Sequence, residues 1–118
     1  PLHYTGIDFS EAALERARER FPAGTFILSD IEEPRIIEGH YDVIVMAEVF
    51  YYVDPIKTIA AFRTHCAPEG KVLISLYHSW RAHVLWRRIK KVLHTIETHK
   101  VLDPSRGLRW TISTFTYD

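Results

Sequence analysis

The first half of the chain alternates short apolar runs with segments whose apolar residues recur at helical spacing. Residues 4–8, "YTGID", are a short strand candidate, and Ser10 is placed to cap a helix that reaches about Arg20. One face of this helix is apolar, through Ala13, Leu14, Ala17 and Phe21. Residues 25–30, "TFILSD", predict a second strand.

A longer apolar run, "YDVIVMAEVF" at residues 41–50, is typical of a strand buried on both faces of a parallel sheet. Asp54 and Pro55 follow as the N-cap and first position of another helix. "APEGK" then predicts a turn, and "KVLISLYH", residues 71–78, a fourth strand, while residues 31–40 read as a loop. Strands alternating with helices at this spacing predict an α/β fold with a parallel sheet.

The pattern changes after Ser79. Helical periodicity predicts a basic helix from about Trp80 to His94. Its apolar face holds Val84, Leu85, Ile89, Val92, Leu93 and Ile96, and its other face holds Arg87, Arg88, Lys90 and Lys91. Next come a "DPSRG" turn, a strand over "LRWTIST", and "TFTYD" as the start of a further helix.

Charge divides the 118-residue chain in the same place. The net charge is zero, but residues 1–79 hold 7 Lys/Arg against 12 Asp/Glu, and residues 80–118 hold 8 against 3. The basic helix is interpreted first as a solvated face over an apolar stripe, and second as a cover that attracts an acidic substrate. Nucleic-acid or membrane-surface binding is the least favoured reading, because the chain as a whole is neutral.

The composition bears on membrane association, the redox setting and metal binding. No apolar run approaches the ~18 residues of a membrane span, and no signal-peptide pattern is present. Cys66 is the single cysteine, which favours a reducing, cytoplasmic setting. The seven histidines lack companion ligands at metal-binding spacing, so no metal site is predicted.

Four stretches in order, "GIDFSEAALERARERF", "FILSDIEE", "YDVIVMAEVFYYV" and "APEGKVLISLYH", resemble the class I S-adenosylmethionine-dependent methyltransferases, from the second to the fifth strand of their sheet. "AEVFYYV" is more particularly similar to the branch with the nodulation-factor N-methyltransferases. The resemblance implies a Rossmann-like, doubly wound, mostly parallel sheet with helices on both faces. Residues 1–78 would form the core, and residues 79–118 a substrate-side segment of the same domain.

The resemblance implies a role for each acid and its neighbour at the strand ends. Asp8 matches the acid that accepts hydrogen bonds from the ribose hydroxyls of S-adenosyl-L-methionine, and Phe9 the apolar residue against the adenine. Asp30 matches the acid that accepts from the adenine amino group, and Ile31 the residue whose N–H reaches the ring. Each acid could instead be a simple turn residue.

The methyl acceptor would meet the loop after the third strand of this chain. The candidate general bases are Glu48, Tyr52 and His78, since each follows the carboxyl end of a strand. Glu48 is also a candidate cofactor contact. Tyr51 and Trp80 offer aromatic faces to a cation, and Tyr51 and Tyr52 are candidate acceptor contacts. The expected reaction is methyl transfer to nitrogen or oxygen of a small molecule.

Two departures from the family pattern stand out. The family's first strand and glycine-rich loop would lie before Pro1, and its final antiparallel hairpin is not predicted from this sequence. We therefore expect the chain to be an incomplete methyltransferase fold and part of a longer protein. Two alternatives stay open: half of an NAD-binding oxidoreductase, whose ribose acid would look the same, or a remnant that no longer catalyses.

Overall fold

The computed structural model describes residues 2–34 and 37–117 of the chain. The chain divides into two compact units, an N-terminal unit, Pro1–Glu38, and a C-terminal unit, Gly39–Asp118. The strands likewise form two sheets, one of two strands and one of four. The predicted division of roles between residues 1–78 and 79–118 follows a different boundary and stays a prediction.

The N-terminal unit contains one helix and two parallel strands. Strand β1, Thr5–Asp8, leads into helix α1, Glu11–Arg20, and strand β2, Thr25–Leu28, then pairs with β1. The Ser10 hydroxyl caps α1 by accepting a hydrogen bond from the Ala13 N–H, as predicted. Leu14 is buried and Ala13 and Ala17 are half-buried, so this part of the predicted apolar face is confirmed, whereas Phe21, the C-cap residue, is exposed.

The C-terminal unit is built on four strands in the order β3-β4-β6-β5. Strands β3, Tyr41–Ala47, and β4, Cys66–Tyr77, are parallel, whereas β5, His94–Asp103, and β6, Leu108–Thr116, are antiparallel to their neighbours. Helices α2, Pro55–Phe62, and α3, Trp80–Ile89, connect these strands, and a short 3₁₀ turn, Arg63–His65, follows α2. The predicted α/β class is confirmed, with β1–β2 and β3–β4 as the parallel pairs and with both antiparallel pairs formed by β6.

One face of the four-stranded sheet carries the core of the C-terminal unit, and we call it the inner face. Val72, Ile74 and Leu76 of β4 alternate along it and are completely buried. The register places Phe115 of β6 beside Val72, and Trp86 of α3 stacks on Phe115 with ring centroids 6.1 Å apart. Helix α3 therefore packs against this face.

The predicted basic helix is wrong in length. Helix α3 ends at Ile89, and the chain turns through hydrogen bonds from the Val92 and Leu93 N–H groups to the Ile89 carbonyl. From His94 onward the backbone pairs with β6 instead. The apolar positions 89, 92, 93 and 96 fit a helix by chance. The β-branched "HTIETHKV" favours a strand once a partner strand is available.

The last segment is also a strand and not the start of a helix. Residues 114–116 continue β6, where Thr114 and Phe115 pair with both β4 and β5 and Thr116 pairs with β5. The predicted "DPSRG" turn joins β5 to β6, so the antiparallel hairpin that the sequence did not reveal is present. Its backbone groups are satisfied by two neighbouring strands, which a local propensity cannot anticipate.

Strand β3 is not buried on both faces as its apolar run predicted. Met46 on the inner face is 4% exposed, but Val43 and Val45 on the opposite face are 53% and 63% exposed. The difference arises because α3 covers the inner face, and within the described residues of the C-terminal unit no helix covers these two valines.

The sequence "APEGK", predicted to be a turn, forms an irregularity within strand β4. Tyr41 pairs with Cys66, but the next pair is Val43 with Lys71, so β4 contains extra residues that leave the ladder. Gly70 is required there, because a Cβ would lie 2.7 Å from the Cys66 sulfur and 3.0 Å from the Tyr41 carbonyl oxygen.

Two further observations complete the fold. In the loop predicted over residues 31–40, residues 31–34 and 37–40 contain no helix or strand, and residues 35 and 36 lie outside the described residues. None of the helices in the described ranges is long and apolar enough to cross a membrane.

Candidate functional site

Asp8 and Asp30 come to the same edge of the two-stranded sheet. Parallel pairing sets Asp8 opposite Leu28, and the Ser29 N–H donates to the Asp8 carbonyl at 3.0 Å. Asp30 follows two residues after β2 ends, so both acids lie at the carboxyl ends of adjacent parallel strands. This is the edge at which open α/β sheets bind ligands.

Each of the two carboxylates is held by its own turn. Asp8 Oδ1 accepts from the Ser10 N–H at 2.9 Å, and Asp30 Oδ1 accepts from the Glu32 N–H at 2.9 Å. Within the described residues, neither Oδ2 atom has a hydrogen-bond partner. The turn role that the sequence left open is therefore real, yet each acid keeps one oxygen for a ligand hydroxyl or amine.

The neighbours of these acids differ in exposure. Phe9, directly after Asp8, is 71% exposed, which is unusual for a phenylalanine and leaves its ring free to cover a flat apolar ligand. Ile31, directly after Asp30, is half-buried. Two carboxylate acceptors beside an exposed aromatic ring fit an adenosine group, which offers ribose hydroxyl and adenine amino donors.

Glu48 in the C-terminal unit lies in a strained backbone conformation just after β3. Its φ of 56° makes it the one non-glycine residue with positive φ in the described part of the chain. The Glu48 N–H donates to the Ser75 carbonyl, and its Oε2 accepts from the Tyr77 N–H at 3.0 Å. Backbone strain of this kind concentrates at functional sites.

Tyr51 joins Glu48 at the end of β4. Its hydroxyl accepts from the Tyr77 N–H and donates to the Tyr77 carbonyl at 3.2 Å. Burial raises the pKa of Tyr51 from 10.0 to about 12, and the Glu48 carboxylate adds to this shift. Tyr51 is therefore a neutral hydrogen-bonding group at physiological pH and not a base.

Arg81 is a member of this cluster that sequence reasoning missed. Its guanidinium donates to the Tyr51 carbonyl at 2.8 Å and lies 5.8 Å from the centre of the Tyr51 ring. Its place in the first turn of α3, directly after β4, was the available signal. Glu48, Tyr51, Tyr77 and Arg81 together form what we call the strand-end cluster.

The remaining candidates lie near the strand-end cluster in sequence but are less engaged. Tyr52 is 77% exposed and contacts Tyr51 edge to face. Trp80, at the first position of α3, is 82% exposed. His78 follows β4 with an exposed ring, and its N–H donates to the Arg109 carbonyl at 2.8 Å. No group of three His, Cys, Asp or Glu side chains in the described ranges is arranged to hold a metal ion.

Comparison with known families identifies the class of protein. A family model described as a methyltransferase domain matches residues 1–72. The chain belongs to this methyltransferase-domain family. The match spans both aspartates and the strand-end glutamate, and it confirms the resemblance read from the four stretches. A comparison with curated proteins finds no match.

Solved structures show the same fold. The chain is similar to the N-methyltransferase NodS from Bradyrhizobium japonicum WM9, with a TM-score of 0.79 and 19% identity over 96% of this chain and 72% of NodS. It is also similar to a 1,6-didemethyltoxoflavin N1-methyltransferase from Burkholderia thailandensis, solved with S-adenosylhomocysteine, at a TM-score of 0.71 and 15% identity. That match covers 94% of this chain and 59% of the Burkholderia protein.

A third similar structure shows the limit of what the fold implies. The [4+2]-cyclase SpnF matches with a TM-score of 0.74 and 12% identity over 97% of this chain and 66% of SpnF. A cyclase on the same fold means that the reaction has to be argued from the site residues.

Proposed function

We propose that the protein transfers the methyl group of S-adenosyl-L-methionine to a nitrogen or oxygen atom of a small molecule. The observation that carries this proposal is the pair Asp8 and Asp30, two acids at the carboxyl ends of adjacent parallel strands in a methyltransferase-domain chain. The S-adenosylhomocysteine bound to the similar Burkholderia enzyme supports the same cofactor.

The N-terminal unit would hold the adenosine. The free carboxylate oxygen of Asp8 accepts from the ribose hydroxyls, and that of Asp30 from the adenine amino group. The exposed ring of Phe9 covers the adenine, and the Ile31 N–H donates to it. Hydrogen bonds to charged groups of this kind contribute about 1.5–3 kcal/mol each.

The C-terminal unit would meet the acceptor through the strand-end cluster. The cofactor, when bound, supplies an electrophilic methyl group. The chain's own task is to position the nucleophile, an effect that can lower the barrier by about 7–11 kcal/mol. Glu48, with one oxygen fixed by the Tyr77 N–H, takes the proton that the acceptor nitrogen or oxygen releases, and such a base adds roughly 10²- to 10⁴-fold.

Tyr51, Tyr52, His78 and Trp80 complete the proposed acceptor site. Tyr52 and His78 are the alternative bases, because both are exposed and follow strand ends. The exposed face of Trp80 offers a cation–π contact to an amine, and the Tyr51 ring, which has Arg81 over it, offers its other face. A small-molecule acceptor in the cytoplasm agrees with the single cysteine and with the small-molecule enzyme among the similar structures.

Calorimetric titration of S-adenosylhomocysteine tests the cofactor assignment. We expect Asp8→Asn and Asp30→Asn each to weaken binding by about 1–3 kcal/mol, since each loses a charged acceptor but keeps its shape. Asp42→Asn is the matched control, because Asp42 lies near the start of β3 and not at its carboxyl end. Circular dichroism verifies that the variants are folded.

Three results would oppose the proposal. Binding of NAD in place of S-adenosylhomocysteine would mean that Asp8 holds the ribose of NAD and that the protein is an oxidoreductase. Binding of neither ligand, with natural flanking sequence present, would favour a remnant that lost its cofactor. Equal weakening by Asp42→Asn would mean that the effect is general charge and not a site.

A further inference from the structure

A cavity of about 500 Å³ lies within the C-terminal unit, between α3 and the β5–β6 hairpin. This volume is in the range of small-molecule binding sites, about 300–1,000 Å³. It lies on the inner face of the sheet, beyond the packed core. Its basic lining residues are His78, His83, Arg87, Lys90, Lys100 and Arg109.

The charge of this cavity is entirely of one sign. Arg87 and Lys90 come from the α3 side, while Lys100 and Arg109 come from the hairpin, and no carboxylate lines the cavity. Within the described residues, none of these four cations forms an ion pair. Converging unpaired cations raise the local concentration of anions.

Two arginines close to the cavity in sequence do have acidic partners. Arg88 of the same helix pairs with Asp54 at 3.3 Å, and Arg106 of the hairpin turn pairs with Asp103 at 3.2 Å. Acids therefore accompany these two arginines, whereas the four cations that line the cavity have none among the described residues.

Hydroxyl groups and two tryptophan rings complete the lining. Ser113 is 1% exposed, and its Oγ lies 2.9 Å from Thr98 Oγ1, so the pair forms a polar patch on the sheet surface. Thr111 of β6 lines the cavity as well, and Trp86 and Trp110 add apolar surface. Cations with hydroxyl donors and an aromatic wall suit an organic anion better than a bare ion.

The position of His78 connects the cavity to the strand-end cluster. His78 lines the cavity and is the next residue after Tyr77, whose N–H and carbonyl bind Glu48 and Tyr51. A ligand in the cavity can therefore extend toward the proposed reaction site.

We propose that this cavity binds the acidic group, a carboxylate or a phosphate, of the small-molecule methyl acceptor. The identification of the ligand as the acceptor rests on the proposed methyl transfer, whereas the anion site itself does not. The cavity would select acidic acceptors by charge-assisted hydrogen bonds from Lys90, Lys100 and Arg109, and would attract them from solution.

The test is calorimetric titration of two probes, citrate for carboxylates and inorganic pyrophosphate for phosphates, at constant ionic strength. We expect at least one probe to bind, and Lys90→Ala with Lys100→Ala to weaken it at least about tenfold. The better probe identifies which acid the site prefers. Both lysines are exposed, so the double variant should fold, which circular dichroism verifies.

Lys91→Ala with Arg16→Ala is the matched control, because it removes the same charge at exposed positions that do not line the cavity. We expect it to change probe affinity by less than about twofold. Failure of both probes to bind, or equal weakening by the two double variants, would overturn the anion site.

Titration of S-adenosylhomocysteine into the same samples separates the two proposals. Cofactor binding without probe binding would refute the cavity and leave the methyltransferase proposal standing. The opposite result is probe binding that depends on Lys90 and Lys100 in a protein that does not bind S-adenosylhomocysteine. The anion site would then stand, but its ligand could no longer be interpreted as a methyl acceptor.

Discussion

The two units of the chain differ in how much of their structure is supported by a core. Among the described residues of the N-terminal unit, Leu14 and Ile37 are the buried apolar side chains. Its two strands and one helix therefore have a small hydrophobic core. The C-terminal unit buries most of both its helices' inward residues and the alternate positions of β4 and β6. A two-stranded sheet is marginal alone, whereas four strands under two helices can be stable.

This difference separates two requirements of the proposed enzyme. The acids proposed for the cofactor lie on the weakly supported unit, where their carboxylates are fixed by local turns. The strand-end cluster lies on the well-packed unit, where its members are joined by long-range hydrogen bonds between the ends of β3 and β4. Local turns can position a residue without a core, but a cluster assembled from distant segments requires one.

The largest expected effect comes from the same substitution made in each sheet. Ile74→Ala on β4 should lower the free energy of unfolding by about 3–5 kcal/mol, because Ile74 is completely buried. Ile7→Ala on β1 should lower it by less than about 2 kcal/mol, because Ile7 is half-buried. Urea denaturation followed by circular dichroism measures both. Equal losses would mean that the two units share their stability and that the comparison is wrong.

Helix caps give the next largest contrast. The Asp54 carboxylate accepts from the Ile56 and Lys57 N–H groups and also pairs with Arg88, so Asp54→Ala should cost about 1–2 kcal/mol. Ser10→Ala loses one longer hydrogen bond of 3.3 Å and should cost about 0.5–1 kcal/mol. The same denaturation curves provide the values. A larger loss for Ser10→Ala would show that α1 contributes more than its burial indicates.

Alkaline pH should reveal the packing around Tyr51. The folded-state pKa of about 12 lies above the ordinary 10.0, so the stabilising contribution is complete below about pH 10 and is lost as pH rises toward 12. Burial also raises the pKa of Tyr117, whose hydroxyl donates to the Ile59 carbonyl at 2.7 Å.

Ultraviolet absorbance during an alkaline titration should therefore show a fraction of the tyrosines ionising late. Tyr51→Phe and Tyr117→Phe should each remove part of that late fraction. If the wild type and both variants titrate alike while still folded, the cluster around Tyr51 is more open than the structure shows.

The smallest expected effect lies on the exposed side of β3. Val45→Thr should change the free energy of unfolding by less than about 0.5 kcal/mol, because Val45 is 63% exposed. Val72→Thr, the same substitution at a fully buried position, should cost at least about 1 kcal/mol. A substantial loss from Val45→Thr would indicate that another segment or a partner covers this face in solution.

Local signals in the sequence were sufficient for much of the fold. Ser10 and Asp54 predict where their helices begin, because a capping side chain accepts hydrogen bonds from the N–H groups of the first turn that follows it. The acids after β1 and β2 could be found because a strand end and its Asx turn are contiguous in sequence. Family resemblance then added the roles of these acids, which no local pattern contains.

Hydrophobic periodicity gave wrong predictions where the secondary structure or the exposure of a segment depends on contacts with distant parts of the chain. Positions 89, 92, 93 and 96 satisfy a helical spacing, but β6 offers the segment from His94 a ladder of hydrogen bonds, and the strand prevails. The apolar run of β3 could not reveal that Val43 and Val45 face outward, because exposure depends on which face the helices cover.

The sequence by itself thus determined the α/β class, the Ser10 and Asp54 helix caps and the two strand-end acids, since each depends on residues within a few positions of one another. The tertiary structure alone decided the β5–β6 hairpin, the strand-end cluster that brings Arg81 to Tyr51, and the basic cavity under α3. These features join residues far apart in the chain, and such contacts follow from packing and strand pairing that no short stretch encodes.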